Sequence, residues 1–275
     1  YHGDTAGAAA LGAAMMFGAN GEAWHFPVRM VKSIDELEKL SRPQRNTIAA
    51  VIIEPLIQGA AGMRLWPSGT CAALRDWCDK AGALLIADEV MTGFGRTGKM
   101  FAIEHEKAIP DLLALGKGLS GGYLPLALTL TTEEVFSEFD GSVTSGHALA
   151  YGHSYTANPL GCAAARASLE IFREENVLER LRPKIVRMNQ LLQSLRALPG
   201  VVHVRQCGFI AGIEVANEVI AGEICDRARA GGLLTRNIRN VVVLMPPLCT
   251  TTEQLDHAAS ALTEAIMAER APALA

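Results

Sequence analysis

The chain has 275 residues, 49% of them hydrophobic, and its 25 Lys and Arg against 29 Asp and Glu give a formal net charge of -4. That composition builds one large domain or two modest ones with buried cores, and it excludes disorder and small disulfide-stapled scaffolds. No cluster of basic residues and no apolar run near the ~20 residues of a membrane span is present, so the expected partners are small molecules in the cytoplasm, with no nucleic acid and no membrane. The six cysteines form no C-x-x-C pair and read as reduced core thiols, Cys71 and Cys78 among them. No metal site is expected from them or from the seven scattered histidines. The chain opens directly on YHGDTAG, which reads as the middle of a longer pattern, so an N-terminal portion is expected to be absent.

Taken in order, AAVII (49–53) is a short continuous apolar run ending at Glu54-Pro55, the signature of a strand buried on both faces of a parallel sheet. The loop GAAGM follows. Pro67 and Ser68 are expected to open a helix whose apolar stripe is Leu74, Trp77, Cys78 and Ala81, and Gly82 to close it. ALLIA (83–87), DLLAL (111–115) and PLALTLT (125–131) read as further strands, and a long helix runs from about Pro159 through Glu175. Strands alternating with helices imply parallel crossovers and an α/β sheet. After about Asn176 the pattern becomes a polar helix, VVHVRQ, FIAGIEV, a helix over about 219–230, the run VVVLM and a last helix capped by Thr251 or Thr252. The division is therefore a large domain over 1–175 and a smaller α+β domain over 176–275.

Two glycine-rich motifs are incomplete. GFGRTGKM (93–100) contains G-x-G-x-x-G and most of a phosphate loop. Met100, however, stands where a phosphate loop needs a hydroxyl for magnesium, and DEVMT separates the first glycine from its strand. GHSYT (152–156) misses the second glycine of a hydrolase elbow at Thr156. What remains is Asp88 at the end of one buried strand and Lys117 just beyond the next, and strand ends are where α/β folds place ligands. The pair has a chemical logic in pyridoxal 5'-phosphate enzymes. A lysine forms the Schiff base with the cofactor aldehyde, and a carboxylate keeps the pyridine nitrogen protonated so that the ring accepts electrons. Gly116, Gly118, Gly121 and Gly122 let the backbone approach a cofactor closely.

The stretches IIEPLIQGAAGM, LLIADEVMTGFGRTGKMFAIEHE, PDLLALGKGLSGGYLPLALTLT and GHSYTANPLGCAAA occur in that order, and together they resemble the class III aminotransferases. The resemblance implies pyridoxal phosphate fold type I: a mostly parallel central sheet with helices on both faces, plus a smaller C-terminal α+β domain. It implies Lys117 as Schiff-base lysine and proton carrier, Asp88 on the pyridine nitrogen, Val90 over part of the ring and Tyr1 packed on the cofactor face beside substrate. It further implies His153 and Ser154 as phosphate contacts supplied to a neighbouring subunit, hence a homodimer with shared active sites, with Gly152 on the substrate path and Arg236 on a substrate carboxylate. YHGDT, GGYLPLALTLTT and RNIRNVVVLMPP point to the branch that aminates 8-amino-7-oxononanoate in biotin biosynthesis with S-adenosylmethionine as donor. Met91, where ornithine and 4-aminobutyrate enzymes have Gln, favours that branch or the ω-amino acid and diamine transaminases. A non-catalytic remnant of the fold is the remaining alternative.

Overall fold

The computed structural model describes residues 1–11, 27–149 and 151–269. In chain order the elements are α1 (Ala6–Leu11), α2 (Ile34–Glu38), α3 (Arg42–Arg45), β1 (Ala50–Ile53), β2 (Ile57–Gln58), β3 (Arg64–Leu65), α4 (Thr70–Ala81), β4 (Leu84–Asp88), β5 (Leu112–Leu115) and β6 (Leu128–Thr131). There follow α5 (Glu133–Ser137), α6 (Pro159–Glu174), α7 (Val177–Arg196), β7 (Val201–Cys207), β8 (Ile210–Val215), α8 (Glu218–Ala230), β9 (Asn237–Ile238), β10 (Val241–Leu244) and α9 (Thr252–Ala268). They fall into two compact units. The first comprises Tyr1–Leu56, Pro67–Phe94 and Phe101–Ile171, and the second Ile57–Trp66, Gly95–Met100 and Phe172–Ala275. The second unit thus takes two short segments from early in the chain, and its long segment begins within the last turn of α6.

The first unit is built on a sheet of order β1-β4-β5-β6. β1, β4 and β5 are parallel, with Ile53 opposite Ala87 and Asp88 opposite Ala114. β6 returns antiparallel to β5, so the sheet is mostly parallel. The segment from Gly116 to Ala127 between those strands contains a 3-10 turn and no α-helix, so no crossover intervenes. α4 buries Leu74, Trp77 and Cys78 of the expected stripe together with Cys71, Ala81 is half-buried, and Gly82 ends the helix at φ 68°. Its start differs from the expectation. Pro67 and Ser68 lie before the helix, and the Glu106 carboxylate accepts the N–H groups of Gly69 and Cys71 at the helix start, both at 2.7 Å. Burial pushes the Cys71 and Cys78 thiols up to about 12 and about 11, as inert packing groups.

The second unit has an antiparallel sheet of order β7-β8-β10-β9. Ile210, Ala211, Gly212 and Ile213 of β8 and all four residues of β10 are buried, and Leu181, Met188, Ile224, Leu255 and Leu262 from α7, α8 and α9 complete the core. Thr251 caps α9, its hydroxyl accepting the Gln254 N–H at 3.3 Å. GAAGM lies within the β2–β3 hairpin, a pairing the sequence reading leaves as plain loop.

Candidate active site

β1, β4 and β5 run parallel, so their carboxyl ends share one edge of the sheet, and Glu54, Asp88 and Lys117 stand at or just beyond those ends. Asp88 is 6% exposed, a carboxylate held where burial is costly unless it is paired. Two groups hold it: Oδ1 accepts the Val90 N–H at 3.1 Å, and Oδ2 lies 2.7 Å from Nδ1 of His2. His2, whose side chain is 11% exposed, has no sequence signal of its own, because its partner lies on a strand far along the chain.

Strand alternation turns the next residue the other way. Glu89 is fully buried and anchors the loop after β4, accepting from Thr92 Oγ1 at 2.7 Å and from the N–H groups of Ala102 and Ile103 at 2.9 and 2.7 Å. Burial raises its carboxyl above the ordinary range, against the lowering effect of those three donors.

Lys117 is exposed and opens a 3-10 turn over Lys117–Ser120 with φ 41°, a left-handed conformation uncommon for a bulky side chain. A Cβ added to Gly116 would meet Val90 Cγ1 at 3.5 Å, which places the Val90 side chain beside the backbone leading into Lys117. A Cβ on Gly118 would meet Phe94 Cβ at 3.0 Å, so this glycine lets the lysine loop lie against the loop after β4. Asp88, Val90 and Lys117 are therefore brought together on one sheet edge. Tyr1, 40% exposed, is chain neighbour to the histidine that bonds Asp88.

The other expected site residues are placed differently. Gly152, His153 and Ser154 lie exposed in the turn before α6, where His153 makes local contacts, its N–H to Thr156 Oγ1 and its Nδ1 to the Tyr155 N–H. Arg236 belongs to the second unit and is exposed immediately before β9. GFGRTGKM forms turns with no α-helix behind it, so it offers neither helix N-terminus nor phosphate loop.

Known proteins resemble this chain in sequence and in fold. The family model described as aminotransferase class-III matches residues 1–266. The adenosylmethionine-8-amino-7-oxononanoate aminotransferase of Nitratidesulfovibrio vulgaris is 41% identical, covering 98% of this chain and 55% of that protein. The enzyme of the same name from Geobacter sulfurreducens is 37% identical over 97% of this chain and 66% of its own length. Among solved structures, the Methanocaldococcus jannaschii enzyme of that name superposes with TM-score 0.87 at 38% identity, covering 98% of this chain and 67% of that one. An amine transaminase from an uncultivated Pseudomonas species, in its PLP-bound form, gives TM-score 0.89 at 29% identity, covering 98% and 68%. The chain thus spans between 55% and 66% of the length of these two curated relatives. With the family model matched along nearly the whole sequence, this chain belongs to the class III aminotransferases, a pyridoxal phosphate-dependent family.

Proposed function

We propose that this chain acts in a pyridoxal phosphate-dependent aminotransferase that converts 8-amino-7-oxononanoate to 7,8-diaminononanoate with S-adenosylmethionine as amino donor, in biotin biosynthesis. The observation behind the reading is the placement of Asp88 at the end of one strand and Lys117 just beyond its parallel neighbour, with Val90 bonded to Asp88 through its N–H and packed beside Gly116. The residues fit the cofactor by the chemistry of their donors: a buried carboxylate for a pyridinium, an accessible amine for an aldehyde and an apolar side chain for a ring face. When bound, the cofactor supplies that aldehyde and a protonated ring that stabilises negative charge at the substrate carbon.

Asp88 holds the proton on the pyridine nitrogen, and its two bonds, to Val90 N–H and to His2, keep the carboxylate in one orientation. Lys117 would hold the cofactor aldehyde through Nζ, and its free amine would serve as the general base that takes a proton from the substrate carbon. Val90 and Tyr1 cover the ring and exclude water. Arg236 grips the substrate carboxylate, and Gly152 leaves room for its passage. His153 and Ser154 donate to the phosphate of a partner subunit, so that a homodimer in the cytoplasm shares two sites. The many exposed apolar residues between Tyr123 and Leu160, Tyr123 at 87% and Tyr151 at 82% among them, support a surface covered by a second copy.

The test uses the full-length enzyme and separate half-reactions followed by cofactor absorbance. Conversion with S-adenosylmethionine supports the proposal. Conversion with ω-amino acids alone moves the assignment to that branch. Lys117→Ala should abolish turnover and the borohydride-reducible cofactor link, and a link retained in that variant would refute the role of Lys117.

A further inference from the structure

The second unit contains a cavity of about 410 Å³, a size suited to a small molecule, whose lining includes Arg64, His203, Arg205, Glu214, Arg239 and Asn240. The charges around it do not cancel. Glu214 is occupied by Arg205, with Oε2 at 2.6 Å from Nη1, while its Oε1 accepts from Asn240 Nδ2 at 3.4 Å. Arg205 is held in turn by the Gly62 carbonyl, which accepts from Nε at 3.0 Å and Nη2 at 2.7 Å. Among the described residues no ion pair engages Arg64 or Arg239, and both are exposed at the cavity. Arg64 lies over the Trp66 ring, 5.5 Å from its centroid.

Two details give these cations a direction. His203 Nδ1 lies 3.2 Å from Arg205 Nη1, and a guanidinium only donates, so Nδ1 is the bare nitrogen and Nε2–H remains a donor. Arg239 and Asn240 form the two-residue link between β9 and β10, where Ile238 pairs with Val241, and Arg239 stands there at φ 53°. Glycine is the residue such a turn favours at a positive φ, so a bulky cation is held in a conformation that its own side chain resists.

We propose that this cavity binds a small molecule bearing a doubly charged oxyanion, a phosphate or a pair of carboxylates, with Arg64 and Arg239 as its two counter-charges and His203 Nε2–H as a neutral donor. Arginine suits the task because its fork meets two oxygens at once. The lining residues all belong to the second unit, Asp88 and Lys117 belong to the first, and the proposal does not depend on the aminotransferase reading.

Calorimetric titration of the full-length, cofactor-loaded enzyme, at constant ionic strength, tests the site with inorganic phosphate in one arm and succinate in the other. Saturable binding of either anion is expected, the preferred one identifying the head group. Arg239→Gly, which gives the turn its favoured residue and should leave the Tm of the unliganded protein unchanged or higher, and Arg64→Gln should each weaken binding by about tenfold or more. Arg236→Ala should leave it unchanged. Absence of saturable binding, equal affinity in the parent and Arg239→Gly, or a loss confined to Arg236→Ala overturns the proposal.

Discussion

The carboxylate of Asp88 has one oxygen bound by a backbone N–H and the other beside a histidine, an arrangement that orients it. Asp88→Asn should therefore still load cofactor yet slow the proton-transfer step by on the order of 10²-fold, because a neutral amide does not hold a proton on the pyridine nitrogen. His2→Leu, which keeps bulk and removes the partner of Oδ2, should cost less, about tenfold, in line with one lost hydrogen bond to a charged group. Single-turnover absorbance separates the two, and a His2 effect as large as that of Asp88 would count against a merely orienting role. Arg236 is tested by KM. Arg236→Ala should raise KM for the oxononanoate, with a loss of about 2–5 kcal/mol if a buried carboxylate is left without its fork. A simple amine donor lacking a carboxylate should be unaffected, and equal losses with both would point to a structural role before β9.

At the scale of elements, the segment 95–100 is fixed to the β7–β8 hairpin within the second unit. Phe209 N–H donates to the Arg96 carbonyl at 2.9 Å, and the Arg96 guanidinium reaches the Pro246 carbonyl at 2.5 Å. Burial lowers that guanidinium to about 10, and it stays charged at neutral pH. Gly208, at φ +56°, makes the approach possible: a Cβ there would fall 2.3 Å from the Thr97 carbonyl carbon, inside backbone that has no rotamer with which to yield. Gly208→Ala should destabilise the protein by about 3 kcal/mol or more in urea melts. Gly222→Ala, on α8 with nothing within 4 Å of its added Cβ, is the control and should be neutral or stabilising. Comparable losses in both would mean that steric contact with Thr97 is not the cause.

At the scale of the whole molecule, β6 is exposed along its length, as are Phe136, Val143, Leu149, Tyr151 and Tyr155 beyond it. So much exposed apolar surface in one stretch of chain is costly in water and favours association. The full-length enzyme should sediment as a homodimer and lose activity in step with dissociation on dilution. Full activity in a species of monomer mass would refute the shared site assigned to His153 and Ser154.

Local chemistry made part of this protein readable from its residues alone. The apolar runs before Glu54, at 83–87 and at 111–115 correspond to strands, the stripe Leu74, Trp77 and Cys78 to the buried face of a helix, and Gly82 to its left-handed end. Those signals have periods of two or 3.6 residues and need no partner from elsewhere in the chain. Asp88 and Lys117 were legible as candidates for the same reason, since each follows an apolar run directly. The antiparallel direction of β6, the Glu106 carboxylate that caps α4 in place of Ser68, the His2 contact with Asp88 and the segments 57–66 and 95–100 that join the second unit were decided only by tertiary structure. Each joins residues distant in sequence, and neither periodicity nor composition encodes which distant group will satisfy a buried donor or acceptor. That choice is made when the chain packs and every buried polar group must find its partner.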